Sequence, residues 1–326
     1  MLGKIRRRFR RAYLYELKRR IEEPPDHVAI IQDGNRRYAE QHGMEPSDGH
    51  VEGADTTEDV LHLCQEIGIK EVTLYAFSTE NFDRPDHELQ ELFELLTEKL
   101  YSFADADIVH DEQINIRGLG DLNQLPQRVI DAVRYAEAET AQYSDLQLNI
   151  ALAYGGRNEL LKTARELASD VADNKLSPDD ITVSEVEDRL YEDPIRDVDL
   201  VIRSGGDKRT SNFLPWHANG NEAAVYFCTP YWPEFDKPDF FRAIRTYESR
   251  KESWQKEQVE RTVSLINALV VSEYKEHENT IRRLRQQIRG DTDTPTRTDL
   301  NSSVSTDNQH LETETTNTET LTTSRK

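Results

Sequence analysis

The stretch His27-Val28-Ala29-Ile30-Ile31-Gln32-Asp33-Gly34-Asn35-Arg36-Arg37-Tyr38 decides the fold. It opens as a short apolar run, the mark of a buried strand. The run stops at Asp33-Gly34-Asn35, a turn signal, and a helix begins there. The same strand-then-helix alternation continues outward. Residues 71–78, 114–118, 146–154, 197–203 and 223–227 read as further strands. Helical patterns at 54–67, 89–103, 126–142 and 157–172 separate them. This alternation predicts one α/β domain with a mostly parallel six-stranded sheet flanked by helices. A long C-terminal helical extension, residues 239–289, outlasts that core.

Composition sets the limits. The chain has 326 residues, 41 basic and 62 acidic side chains and a net charge of -21. The charge is not uniform. Residues 1–20 carry nine basic groups and one acid, residues 291–326 carry a net -4, and the stretch between holds -25. A domain this acidic is a poor partner for nucleic acid, and none is expected. Two cysteines, Cys64 and Cys228, imply neither a disulfide framework nor a cysteine zinc site, which makes a reducing cytoplasm the expected location. No apolar run reaches membrane-spanning length. Lysine is scarce (12 against 29 arginines) while carboxylates abound. That balance suggests a halophilic protein, with a plain acidic surface as the alternative.

The domains expected are a basic amphipathic helix over 1–24, a catalytic domain over 25–255, a helical extension over 256–290 and a disordered, acidic, threonine-rich tail over 291–326. The basic helix has two readings, docking to an anionic membrane face or a basic arm that is solvated or packed on the acidic domain.

Three polar clusters follow predicted strands, where open α/β sheets place their ligands. Asp33 to Tyr38 put an oxygen ligand suited to Mg²⁺ before a helix N-terminus, with Arg36 and Arg37 in its first turn. Ordinary capping and a phosphohydrolase-type nucleophile are other readings of that hexapeptide. Ser78 to Pro85 offer an amide, an aromatic ring and a guanidinium on one loop. Arg203 to Phe213 surround a Gly-Gly turn with arginines, a lysine and hydroxyls, an anion nest without Walker spacing. Together they point to a Mg²⁺-assisted site for two diphosphates.

Five ordered blocks carry a resemblance: HVAIIQDGNRRYA (27–39) with Gly49-His50, LYAFSTENFDRP (74–85), LNIALAYGGR (148–157), DLVIRSGG (199–206) and SNFLPW (211–216). They resemble the cis-prenyltransferase family, of the undecaprenyl diphosphate synthase type, from about residue 25 to about residue 255. The resemblance implies Mg²⁺-dependent condensation of isopentenyl diphosphate onto an allylic diphosphate, each new double bond being cis. The product would be a long-chain polyprenyl diphosphate, precursor of a glycosyl carrier lipid. A non-catalytic subunit of such an enzyme is the alternative, and the presence of Asp33, Asn81 and Arg209 argues against it.

The resemblance also implies roles. Asp33 would hold Mg²⁺, with Glu222 as the second metal carboxylate. Gly34, Asn35, Arg36 and Arg37 would cradle the allylic diphosphate, with Tyr38 and His50 lining the same pocket. Ser78, Thr79 and Glu80 would form a loop wall. Asn81 would sit near the proton lost from isopentenyl diphosphate, and Phe82 and Arg84 would close the site. Arg203, Arg209, Thr210 and Ser211 would hold isopentenyl diphosphate. The stripe Leu89, Leu92, Phe93, Leu96 and Leu100 would either line a tunnel for the product or pack as core.

The sequence departs from the family pattern at Pro46, where Arg is common, and at Tyr38 and Phe82, where Trp is common. Residues 216–227 form a slightly longer stretch than in bacterial relatives. Arg36 with Tyr38 is closer to archaeal and eukaryotic members, which implies geranylgeranyl or farnesyl diphosphate as primer. The family also implies a homodimer, and residues 1–20 a peripheral membrane contact.

Overall fold

The computed structural model describes residues 15–19, 21–191, 194–220 and 223–288. Six strands form one sheet: β1 (His27–Ile31), β2 (Glu71–Tyr75), β3 (Ile114–Leu119), β4 (Leu146–Ala151), β5 (Leu200–Arg203) and β6 (Ala224–Phe227). Their order is β3-β4-β2-β1-β5-β6, and every neighbouring pair is parallel. The α/β sheet expected from the sequence is present, wholly rather than mostly parallel.

Strand register divides the core in two. Val28, Ile30, Val72, Leu74, Leu148 and Ile202 face one layer of helices. Ala29, Ile31, Ala151 and Val201 face the other, with Phe213 and Leu214. Both faces are buried, which is why these strands read as continuous apolar runs rather than alternating ones.

The helices are α1 (Asn35–His42), α2 (Pro46–Ile67), α3 (Asp86–Ala104), α4 (Asp107–Asp111), α5 (Gln127–Thr140), α6 (Gly156–Ala172), α7 (Val183–Leu190), α8 (Pro215–Gly220) and α9 (Lys237–Ile288). Helix α2 starts well before the expected Ala54. Glu45 and Asp48 form a reciprocal capping box around Pro46. Gly49 and Gly53 weaken the helical signal there, and packing explains them. A Cβ on Gly49 would lie 2.2 Å from the Asn35 carbonyl oxygen, and one on Gly53 2.4 Å from Asn35 Oδ1. The glycines let α2 press against the start of α1.

Two expected strands end early, at Tyr75 and Ala151, and only the Ser78–Tyr154 bridge continues their pairing. Ala153 has φ 47°, which turns the chain out of the sheet. Leu200 rather than Asp197 begins β5, because Asp199 Oδ2 accepts the backbone N–H groups of Asp26 and His27 at 2.8 and 3.1 Å.

Residues 15–19 are helical. Leu17 is buried in the core, and Lys18 pairs with Glu66. This end of the basic segment is therefore packed on the domain. The rest of that segment, residues 1–14 and 20, and the tail over 291–326 lie outside the described residues. The chain divides into two compact units after Gln255. The first holds the sheet; in the second, the described residues are all helical. No described helix is long and apolar enough to cross a membrane.

Candidate active site

The sheet order reverses at β1. The chain leaves β1 toward β2 on one flank, and β5 lies on the other. Such a switch point opens a crevice at the carboxyl ends of the strands. Ile31 is in register with Arg203, so the residues after both strands meet there. The Ser204 hydroxyl donates to the Asp33 carbonyl oxygen at 2.8 Å, and Ser204 Oγ lies 3.0 Å from the Asp33 backbone N–H.

The Asp33 carboxylate is held by two guanidinium groups. Arg37 Nη2 donates to Oδ1 at 2.8 Å, and Arg203 Nη2 donates to Oδ2 at 2.7 Å. Arg203 is 4% exposed and acts as a hub. It also donates to Asp207 Oδ2 at 3.0 Å, to the Arg209 carbonyl oxygen at 2.7 Å and to Ser211 Oγ at 2.6 Å. Its Nε is buried without a hydrogen-bond partner among the described residues. Arg209 is exposed and reaches the same Asp207 oxygen at 3.1 Å.

Backbone geometry makes room for this cluster. Gly34 caps α1 with φ 102°, and a Cβ there would lie 2.5 Å from Tyr231 Cδ1. Arg37 lies over the Tyr231 ring, 5.2 Å from its centroid, and donates to the Gly205 carbonyl oxygen at 2.9 Å. The first turn of α1 contains no acid. Its free N–H groups, Arg36 and Arg37 therefore offer positive potential at one point, suited to a diphosphate.

A short 3₁₀ turn, Thr79–Asp83, carries the second cluster. Asn81 Oδ1 accepts the Ser78 backbone N–H at 2.8 Å and the Ser78 hydroxyl at 3.1 Å. These bonds fix the amide and occupy its acceptor. Phe82 packs between Phe77 and Phe93, with centroids 5.1 and 6.3 Å away. Arg84 and Arg36 both approach Glu88, at 3.8 and 3.5 Å. A single carboxylate thus gathers arginines from two clusters. Burial, with Arg84 nearby, holds the His50 imidazole below its usual pKa, so it is neutral at physiological pH.

The third cluster is strained. Ser211, Asn212 and Leu214 all have positive φ, at 49°, 60° and 46°. Such backbone persists only where its surroundings enforce it. Tyr75 stacks on Phe213, with centroids 4.5 Å apart and planes 4° from parallel. The Gly156 N–H donates to the Asn212 carbonyl oxygen at 3.2 Å. Behind this turn, the Tyr154 and Tyr191 hydroxyls donate to Glu159 Oε2 at 2.7 and 2.8 Å. Burial outweighs those two bonds and pushes the Glu159 carboxyl up to about 7.

Asp33, Gly34, Arg37, Arg203, Arg209 and Ser211 therefore come together in one network, and Arg36 joins Arg84 through Glu88. Thr79 packs on Gly155, where a Cβ would lie 2.6 Å from Thr79 Oγ1. Thr210 lies between Arg209 and Ser211, and its carbonyl oxygen accepts the Phe213 N–H at 3.0 Å. Glu80 is exposed at the tip of its loop. Asn35 turns from the cluster toward α2, its Oδ1 buried beside Gly53. The Tyr38 ring rests 4.2 Å from His42 rather than on the arginines. Glu222 lies outside the described residues. Sequence reasoning placed Ser204 and Asp207 in the third cluster without giving them a role, and missed Glu88 and Tyr231 as parts of the site. Glu88 stands at helical spacing from Arg84 and was readable; Tyr231 comes from a distant loop and was not.

The donors present fit Mg²⁺ of one kind. Among the described residues, no group of three or more metal-binding side chains exists. Asp33 and Asp207, which share Arg203 Nη2, are hard oxygen donors surrounded by anion-binding groups. That set suits an ion that takes its remaining oxygens from phosphates.

Comparison with known proteins gives a consistent picture. The family described as putative undecaprenyl diphosphate synthase matches residues 31–255. A relative from Haloarcula marismortui, a tritrans,polycis-undecaprenyl-diphosphate synthase (geranylgeranyl-diphosphate specific), is 54% identical over 288 residues, covering 88% of this chain and 95% of its own. A relative of the same name from Halobacterium salinarum is 60% identical over 253 residues, covering 78% of this chain and 84% of its own. Among solved structures, lavandulyl diphosphate synthase from Lavandula x intermedia, in complex with dimethylallyl diphosphate, superposes with a TM-score of 0.62. It is 32% identical, and the match covers 69% of this chain and 95% of that one.

Proposed function

The chain belongs to the undecaprenyl diphosphate synthase family of cis-prenyltransferases, and on that premise we propose that it extends geranylgeranyl diphosphate with isopentenyl diphosphate to a long-chain cis-polyprenyl diphosphate. The observation that carries this reading is the single carboxylate of Asp33 shared by Arg37 and Arg203, at the joined ends of β1 and β5. The primer named for the Haloarcula and Halobacterium relatives supports geranylgeranyl over farnesyl diphosphate.

In this reading, the first turn of α1 binds the allylic diphosphate. Gly34 lets its oxygens approach the backbone N–H groups, and Arg36, Arg37 and Arg84 supply charge. Arg203, Arg209 and Ser211 bind isopentenyl diphosphate on the β5 side. As the allylic C–O bond ionises, charge builds on the leaving diphosphate, and the arginines are already in place to stabilise it. The isopentenyl double bond then attacks the allylic carbon, and the proton lost from C2 of the isopentenyl unit passes to the released diphosphate or to water as the new double bond forms. Asn81 holds the substrate in orientation with its amide N–H while its oxygen stays bound to Ser78. Asp33 is the residue that would hold Mg²⁺, which neutralises diphosphate charge when bound. The partly buried Leu89, Leu92 and Leu96 on α3 give the growing chain an apolar path.

The enzyme would act as a homodimer, with peripheral membrane contact through residues 1–14. Because Leu17 is part of the core, deletion of residues 1–14 is the appropriate test of that contact. Loss of sedimentation with anionic liposomes is expected, and unchanged binding refutes it.

The function is tested with purified protein, Mg²⁺, radiolabelled isopentenyl diphosphate and dimethylallyl, farnesyl or geranylgeranyl diphosphate. Butanol-extractable long-chain product, greatest with geranylgeranyl diphosphate, is expected. No incorporation with any primer, at low or high salt, sinks the reading.

A further inference from the structure

The proposed chemistry leaves one crevice unused. It measures about 370 Å³ and lies between α2 and the turn that leads into α9. Val60, Leu63 and Phe235 line it as buried side chains. Asp59 and Glu234 are exposed at its rim, with Asp236 beside them and Lys237 as the one cation among the lining residues. Among the described residues, no cation forms an ion pair with Asp59 or Glu234. A bare inorganic cation has no use for the apolar floor, and an anion is repelled by the rim. Floor and rim together fit a segment that is apolar on one side and basic on the other.

The described chain enters beside this crevice. Lys18 pairs with Glu66 on α2, and Leu17 is buried in the core. Asp59, Leu63 and Glu66 follow one another at steps of four and three residues, which places them along one face of α2. The bond to Lys18 holds the Glu66 carboxyl below its usual range, and Lys237 on the crevice rim adds to the effect. Glu66 therefore borders the crevice at its Lys237 end. Asp59 lies about 10 Å from Glu66 along the helix axis, and Thr56 about 15 Å.

We propose that this crevice is the docking groove of the chain's own residues 1–14. Those residues carry Lys4, Arg6, Arg7, Arg8, Arg10 and Arg11 and no acid, with Ile5, Phe9, Ala12 and Tyr13 at helical spacing between them. Fourteen residues span about 20 Å as a helix and more when extended, enough to run from Glu66 past Thr56. Held at Lys18, the segment stands at a high effective concentration over the crevice, which favours it over a basic segment of any other protein. Docked, its arginines are withheld from an anionic membrane. Docking does not depend on the membrane contact proposed above, and the two exclude each other.

Distances between spin labels on the full-length chain test the docking. Cys64 and Cys228 are buried, so labels on Gly3→Cys and Glu52→Cys report the introduced sites. Glu52 is exposed on α2, one turn beyond Thr56. At the lowest KCl concentration that keeps the chain folded, docking is expected to give a single narrow distance below about 35 Å, from helix length and packing spacing. An undocked tether spreads over tens of ångström, and such a broad distribution overturns the proposal. Co-expression with an excess of unlabelled chain is expected to leave the narrow distance in place. Its disappearance assigns the contact to a second copy and overturns the proposal. Reversing the rim, Asp59→Lys with Glu234→Lys, is expected to broaden the distribution, with folding checked by a thermal melt. Arg7→Glu with Arg11→Glu is expected to broaden it while leaving the crevice intact. A narrow distance that survives either change in a folded chain overturns the proposal. Phosphatidylglycerol vesicles are expected to abolish the narrow distance as they bind, and a narrow distance in vesicle-bound chain overturns the exclusion.

Discussion

Asp33 and the buried Arg203 show how much a single ion pair decides. Both oxygens of Asp33 accept a guanidinium, and Arg203 holds three further acceptors from the loop after β5. Asp33→Ala removes one of those acceptors, but Arg203 keeps Asp207. The variant is expected to stay folded, with a stability loss of about 1–3 kcal/mol, while turnover falls by at least about 10²-fold. Thermal melts alongside the radiolabel assay read both quantities, and retained turnover counts against the Asp33 assignment. Arg203→Lys keeps the charge but loses the planar fork that reaches Asp33, Asp207 and Ser211 together. A KM for isopentenyl diphosphate raised at least about 10-fold is expected, with a smaller change for the primer. Glu159 gives a pH prediction. Its folded pKa is raised, so between about pH 4.5 and 7 the folded state holds a proton that the unfolded state has released. Its contribution to stability is therefore greatest at low pH and is lost as pH rises through 7. Glu159→Gln keeps an acceptor for Tyr154 and Tyr191 without a charge. Relative to the wild type, its melting temperature is expected to gain a few degrees at pH 8 and almost nothing at pH 4.5. At this scale, Asp33, Arg37 and Arg203 were legible because charged residues at the ends of apolar strands stand out in an acidic chain. Tyr231 and the Gly205 carbonyl were not, because their roles exist only once distant loops meet.

At the scale of elements, two turns act as joints between clusters. Tyr154-Gly155-Gly156 touches the Asn81 loop through Thr79 and the 209–214 loop through Asn212. A Cβ on Gly156 would lie 2.2 Å from Pro215 Cδ and 2.7 Å from the Asn212 carbonyl oxygen. Gly156→Ala must move that loop. It is expected to cost about 1–3 kcal/mol, as overpacking does, and to weaken isopentenyl diphosphate binding more than primer binding, as steady-state kinetics would show. Strands, long helices and the Gly-Gly turns were readable from pattern. Helix α7 was missed although Thr182 and Glu185 stand at capping distance and Thr182 Oγ1 does cap the helix, at 3.3 Å. The early start of α2 was hidden for a different reason. Glycine lowers helical propensity locally, and only the contact with Asn35 shows why it is needed.

The whole molecule is organised by charge. Its acidic excess belongs to the solvent-facing surface, while arginines collect at the ends of β1 and β5. Carboxylates this dense repel one another at low ionic strength, and added salt screens them. Unfolding temperature and activity are both expected to rise as KCl is raised from millimolar toward molar concentrations. Full stability and activity without salt overturn the halophilic reading. The composition carries this expectation by itself, whereas the site it surrounds required the sheet order to be seen.

That sheet order also bears on how the chain is made. Strand β1 leaves the ribosome early, but one of its two edges pairs only with β5, some 170 residues later. At roughly 5–20 residues per second, that edge waits for about 10–30 s of translation. During that time Val28 to Ile31 present an open, apolar template on a nascent chain. Production in a foreign host is therefore expected to be limited by aggregation during synthesis rather than by the stability of the finished protein, and holding chaperones are expected to raise the soluble yield.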